Sequence, residues 1–189
     1  MRQRHNHKKG FSLIEAAIVL GVVGLVLGGI WVAAASVNRR LKISRLASDM
    51  FAIVEATHRL VPYANYPTSW ATDNITSFAR NAGIISPDYS ITGQYSPEAH
   101  APSGVTITLE LECHSTCPQL VLTVYAGDNF DRSDCIDLLQ SVVRPTNTSL
   151  MVAAVETGSS YNYYEPGDDP SGMDCPSNFG QIYFRYQPM

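Results

Sequence analysis

Two groups of residues in this sequence can do covalent chemistry. The first is the run Lys8-Lys9-Gly10-Phe11-Ser12-Leu13-Ile14-Glu15, followed at once by the apolar stretch Ala16–Val37. A secretory signal places its small-residue cut site after the apolar stretch and carries no acid at the start of it. Here the small residue comes first, so the bond to be cut is Gly10–Phe11, and hydrolysis there would create a new α-amine on Phe11. Glu15 is the counterpart of that amine. No basic residue lies between Phe11 and Arg39, and a carboxylate drawn uncompensated into the middle of a membrane costs up to about 3 kcal/mol on insertion scales. An α-amine, titrating at about 7.7–8.0, is the nearest cation that Glu15 can find. The second group is Cys113, Cys117, Cys135 and Cys175, an even number suited to disulfide formation in an oxidising compartment.

The elements that must position these groups follow from the pattern of apolar residues. Ala16–Val37 holds no charge, and Ser36 is its single hydroxyl. At 1.5 Å per residue such a segment makes a helix of about 33 Å, enough to cross the hydrocarbon core of a bilayer. Beyond it Ile43, Leu46, Ala47, Met50, Ile53, Val54 and Val61 recur at helical intervals, which extends the helix as an amphipathic one as far as Pro62. Gly24 and Gly28 form a G-x-x-x-G face, which permits close helix packing; glycine also loosens a helix that has left lipid. The chain therefore divides into residues 1–10 as a leader, 11–37 as a membrane helix, 38–62 as its amphipathic continuation and 63–189 as one globular head.

Within the head, the stretch Pro62–Pro102 is rich in Pro, Asn, Ser, Thr and Tyr and reads as a structured loop, with a helical turn over Ser77–Ala82. Val105, Ile107, Leu109, Leu111 and Cys113 alternate with polar residues as in a half-buried strand, and Leu120–Ala126 forms a second one, so the pair reads as a hairpin. Cys135, Leu138, Leu139 and Val142 share a helix face, with Asp131 or Ser133 as the N-cap. Leu150–Val155 and Gln181–Tyr186 complete the strands, and Tyr161, Tyr163 and Tyr164 are expected to pack a surface loop or a subunit contact. Four cysteines allow three pairings, and the sequence alone chooses none. The preferred set is Cys113 with Cys117, across the hairpin turn, and Cys135 with Cys175, closing a long loop.

The order of cationic stub, glycine, phenylalanine, glutamate and apolar helix resembles the prepilin leader of type IV pilins and type II secretion pseudopilins. The resemblance implies that a prepilin peptidase of the inner membrane cuts after Gly10 and methylates the amine of Phe11. It implies further that the amine of an incoming subunit meets Glu15 of its neighbour in a filament, setting axial register by pairing charges that are each unfavourable alone. An α+β pilin fold is expected, a long N-terminal helix packed on an antiparallel sheet and closed by disulfides. The mature length of 179, the Tyr66-Pro67 turn, the helix bearing Cys135 and the late Cys175 are similar to type IVb pilins, in which a disulfide clasps the C-terminal region, and this supports the Cys135–Cys175 pairing. Two features depart from that pattern: the ten-residue leader, and Phe11 at the cut. Many pilins also carry a proline in the helix where this chain has Val32, so any unwinding would rest on the glycines.

Charge and composition remove other function classes. Loss of Arg2, Arg4, Lys8 and Lys9 with the leader takes 13 basic residues to 9 against 17 acidic ones, a formal −8 for the mature chain. Binding of nucleic acid through a general basic field is not expected, and is left only to an assembled fibre. Basic residues flank the membrane segment equally, Arg39, Arg40, Lys42 and Arg45 matching those of the leader, so the cysteines orient the head, outside the cytoplasm. No catalytic residue, metal or other cofactor is expected. His5 and His7 leave with the leader; His58, His100 and His114 lack a nucleophile or acid at a recognisable spacing. Zinc on Cys113 and Cys117 would need a matching pair, which Cys135 and Cys175 do not make, and the acids around Asp131 lack the pattern of a calcium loop. A calcium site near Asp168, Asp169 and Asp174 stays open. The sequons at Asn74 and Asn147 read as chance matches.

The expected partners are other copies of the chain, the prepilin peptidase, the inner-membrane assembly machinery and, before assembly, the membrane itself. The expected location is the inner membrane with a periplasmic head, then an extracellular pilus. Two roles fit: a structural subunit of a type IV pilus used for adhesion, aggregation, motility or DNA transfer, and a minor pilin or pseudopilin in a short periplasmic fibre or tip.

Overall fold

The computed structural model describes residues 13–60, 72–112, 119–127, 130–143, 149–176 and 178–187. Gly10, Phe11, Val61, Tyr66-Pro67, Cys113 and Cys117 lie outside them. Helix α1 runs unbroken over Leu13–Leu60. Its residues separate into two compact units, one ending at Arg40 and the other beginning at Leu41. In the second unit Ile43, Leu46, Ala47, Met50, Ile53 and Val54 are buried, the stripe that the three- and four-residue spacing predicts. They join one apolar cluster with the inward residues of the sheet.

The sheet has eight antiparallel strands, in the order β2-β3-β4-β5-β8-β6-β7, with β1 also paired to β4. Strand β4 (Thr106–Glu112) and strand β5 (Gln119–Tyr125) pair from Thr106↔Tyr125 to Glu112↔Gln119, so the expected hairpin forms. Strand β8 (Gln181–Tyr186) lies against β5 and buries Ile182, Phe184 and Tyr186. Strand β6 (Leu150–Thr157) follows it, and β7 (Ser160–Tyr164) ends that side of the sheet.

The stretch read as a loop is more ordered than its composition suggests. It holds β1 (Thr72–Asn74), α2 (Thr76–Asn81), β2 (Ser90–Thr92) and β3 (Glu98–His100). These strands are three residues each, too short for alternation to be read, and β1 and β3 are fixed by pairing with the long β4 rather than by their own propensity. β1 and β3 occupy different stretches along β4, and between them Leu109 would lack partners. Thr76 and Ile75 supply them: the Leu109 amide donates to Thr76 Oγ1 at 2.9 Å and its carbonyl accepts from the Ile75 amide at 2.9 Å. Gly93, which follows β2, has φ +83°, and a Cβ there would stand 2.4 Å from the Ser96 carbonyl oxygen, so the turn requires glycine.

Of the two expectations for the tyrosines, a surface loop or a subunit contact, the first is corrected. Tyr161, Tyr163 and Tyr164 lie in β7, in register with Glu156, Ala154 and Ala153 of β6, not in a loop. Alternation was invisible in the sequence because Tyr163 and Tyr164 are adjacent and exposed or half-buried alike.

Candidate functional site: the apolar helix and the clasped head

Glu15 sits in the first turn of α1, where the unpaired amides of a helix N-terminus favour a negative charge. Around it the helix offers nothing but apolar surface. Leu13, Ile14 and Ile18 are exposed, and so are Val19 through Leu27, Ile30, Trp31, Val32 and Val37 wherever a large side chain occurs. Single exposed apolar residues are ordinary, but a continuous set on every side of a helix is not compatible with a solvated monomer. Among the described residues α1 is the helix long and apolar enough to cross a membrane. Gly21, Gly24, Gly28 and Gly29 stay helical, with nothing within 4 Å of where a Cβ would stand. This leaves a smooth strip open to whatever packs there, lipid or another helix.

The helix joins the head through more than its apolar stripe. Tyr89 is buried, and its hydroxyl donates to Asp49 Oδ2 at 2.9 Å. Burial first, then the hydrogen bond to and the charge of Asp49, push the phenol well above its ordinary range, so it remains a donor at any physiological pH.

At the opposite end of the sequence a disulfide joins Cys135 of α3 (Arg132–Val142) to Cys175, with Cα atoms 6.2 Å apart across 40 positions of chain. This is the pairing that the resemblance implied. Both cysteines are fully buried. Asp131 rather than Ser133 is the N-cap: its Oδ1 accepts from the Ser133 and Asp134 amides at 2.8 and 3.1 Å, and Asp134 Oδ2 accepts in return from the Asp131 amide. That capping box fixes the turn of helix on which Cys135 is carried. Around the disulfide, Arg132 Nη2 pairs with Asp174 Oδ1, and the Tyr164 hydroxyl donates to the Asp174 carbonyl at 2.6 Å while accepting from its amide at 3.0 Å. Gln140 Nε2 reaches the Pro170 carbonyl at 2.9 Å. The C-terminal loop is thus held to α3 and β7 by one covalent and several polar ties.

Those ties also occupy the acids considered for calcium. Asp168 Oδ2 accepts from the Glu165 amide, Asp169 Oδ1 from Ser171, and Asp174 pairs with Arg132. Hydrogen bonds from Ser171, its backbone first, hold the exposed Asp169 carboxyl below its usual range. Among the described residues no group of three or more His, Cys, Asp or Glu is placed to hold a metal ion. His100 bridges Thr92 and Thr106 through its two ring nitrogens at 2.6 and 2.8 Å, a tie between strands. Sequence reasoning missed one feature: the tyrosine-lined hollow on the outer face of β6–β8, which depends on register and had no signal in the sequence.

Residues 5–31 match the family described as the prokaryotic N-terminal methylation motif. The match covers Gly10, Phe11, Glu15 and most of the apolar stretch, and it supports the resemblance to type IV pilins and prepilin-like proteins. No curated protein and no solved structure matches the chain. The apolar helix and the motif together fit anchoring in a membrane before assembly.

Proposed function

We propose that the chain is a structural subunit of a type IV pilus, of type IVb-like pattern, and performs no catalysis of its own. Prepilin peptidase cuts between Gly10 and Phe11 and methylates the Phe11 amine; the head stands in the periplasm until assembly machinery draws the subunit into an extracellular filament. The observation that carries this reading is the bare apolar surface of α1 with one acid in its first turn, in a chain whose residues 5–31 carry the methylation motif. Membrane anchoring alone would need the apolar surface but not the acid. An acid four residues along from a newly made amine, in a site with no other cation, is the arrangement for pairing one subunit with the next. The disulfide between α3 and Cys175 suits a head that works outside the cytoplasm, where thiols stay oxidised.

Mass spectrometry of filaments sheared from the cell surface tests the proposal. The expected result is that this chain dominates the filament and begins at N-methylated Phe11. A processed chain found only in traces or in the membrane fraction replaces the major-subunit role with that of a minor pilin or pseudopilin, and a chain that retains Met1 overturns the processing itself.

A further inference from the structure

The outer face of the sheet is hollowed between β8 and β7. Strand β6 runs between them, and its pairing with β8 shifts register between Leu150 and Val152, a bulge at Met151 that brings Val152 level with Arg185. Ala154 is then in register with Tyr183 on one side and with Tyr163 on the other. A methyl group therefore forms the floor between two phenol rings. Tyr161 completes the cluster, its ring centroid 6.0 Å from that of Tyr183 and 6.1 Å from that of Tyr163. The hollow has a volume of about 290 Å³, near the lower end of the range of about 300–1,000 Å³ usual for ligand sites.

At one end of the hollow Arg185 Nη2 donates to Glu112 Oε2 at 2.8 Å. Among the described residues the buried Nε–H of Arg185 has no hydrogen-bond partner, while the side chain as a whole is 36% exposed and lines the hollow. Tyr183 is held in place by donating to Glu156 Oε2 at 3.0 Å, and burial, then that hydrogen bond, keep its hydroxyl protonated. Tyr161 and Tyr163 are 44% and 65% exposed, a large aromatic area to leave in water on the last strand of a sheet.

We infer that this hollow binds a neutral sugar, a pyranose ring lying on the tyrosine faces with its hydroxyls on Arg185 and Glu112. The chemistry selects the class. Arg185 is paired with Glu112, and Glu156 is engaged by the Tyr183 hydroxyl, so an anion meets carboxylates on both sides and a cation on the tyrosines meets the guanidinium at one end of the hollow. A hydroxyl, being both donor and acceptor, accepts from the exposed part of the guanidinium and donates to the carboxylate together. The C–H face of a pyranose is apolar and flat, matching rings whose faces carry negative charge density. The few convergent polar groups fix orientation, as in ligand sites generally.

The test uses the full chain in polyoxyethylene-ether micelles, since a sugar-headed detergent would compete. Saturation-transfer NMR is recorded with D-glucose, D-galactose and N-acetyl-D-glucosamine in turn, and with choline chloride and sodium sulfate as charged probes. Transfer to the ring C–H protons of at least one sugar is expected, with a dissociation constant on the order of 1 mM, as befits so small a ligand. Tyr161→Ala removes a stacking ring and weakens binding by up to about tenfold. Ala154→Leu fills the floor while leaving every polar group in place, and abolishes binding. Arg185→Lys keeps the charge, loses the forked guanidinium donors and weakens binding, whereas Tyr95→Ala, at a tyrosine 95% exposed elsewhere, changes nothing. Absence of transfer from all three sugars, equal transfer in Ala154→Leu, or tighter binding of choline or sulfate overturns the inference.

Discussion

Replacing both Cys135 and Cys175 by alanine isolates what the C-terminal clasp contributes to the head. The two cysteines are 40 positions apart, and in the chain-entropy account a cross-link closing a loop of that length restricts the unfolded chain by about 4 kcal/mol. Both sulfurs are fully buried, so their removal adds a cavity cost on the order of 1 kcal/mol. Serine would instead bury two hydroxyls and confuse the result. The ties from Arg132 and Tyr164 to Asp174 survive the substitution, but they exist only in the folded head and cannot restrict the unfolded one. For a domain of this size each kcal/mol moves the midpoint by about 2–4 °C, so the double variant should melt about 10–20 °C below the parent. The assay is thermal unfolding followed by near-ultraviolet circular dichroism, on full chains in identical micelles without reductant. Mutation is preferred to reduction because it leaves Cys113 and Cys117 as they are. A shift smaller than about 3 °C would mean that the loop is already confined in the unfolded state, and would refute the assignment of its stability to the cross-link.

Glu15→Ala should leave cleavage after Gly10 intact while sharply lowering recovery in sheared filaments, compared by immunoblot with the processed pool in the membrane; an undiminished filament yield would show that Glu15 plays no part in assembly. Thr76→Val keeps the shape of the side chain but leaves the buried Leu109 amide without its acceptor, at a cost of about 1–3 kcal/mol, and Thr76→Ser should restore most of it in denaturant titrations. Burial, and secondarily the charge of Glu112, raise the Glu110 carboxyl above its ordinary value. The folded state therefore holds that proton more tightly than the unfolded one, and the stability this lends at low pH is lost as pH climbs from the ordinary carboxylate value through the raised one. Glu110→Gln should accordingly raise the midpoint at pH 7 and not at about pH 4, and an equal gain at both values would remove Glu110 as its source.

Much of the molecule was legible because its signals are local. The methylation motif, its acid and an uncharged helical stretch are adjacent in sequence, and the stripe from Ile43 to Val54 needs only the period of an α-helix to be seen. The alternation of apolar and polar residues in β4 and β8 was equally plain, although the polar face of β4 is itself part-buried, with Thr108 inside. The short strands β1, β2 and β3 were not legible: three residues cannot display a period, and β1 and β3 owe their conformation to β4, which lies elsewhere in the sequence.

The sequence by itself determined that the N-terminal segment carries the methylation motif and belongs in an apolar medium, because both depend on residue order along one continuous stretch. Only the tertiary structure decided that Asp131 caps α3, that Cys135 lies beside Cys175, and that Ala154 comes to rest between Tyr163 and Tyr183. Those relations join residues far apart in the chain. Strand register and the packing of helix on sheet bring them together, and a single step of register in β6 would turn Ala154 to the other face and close the hollow.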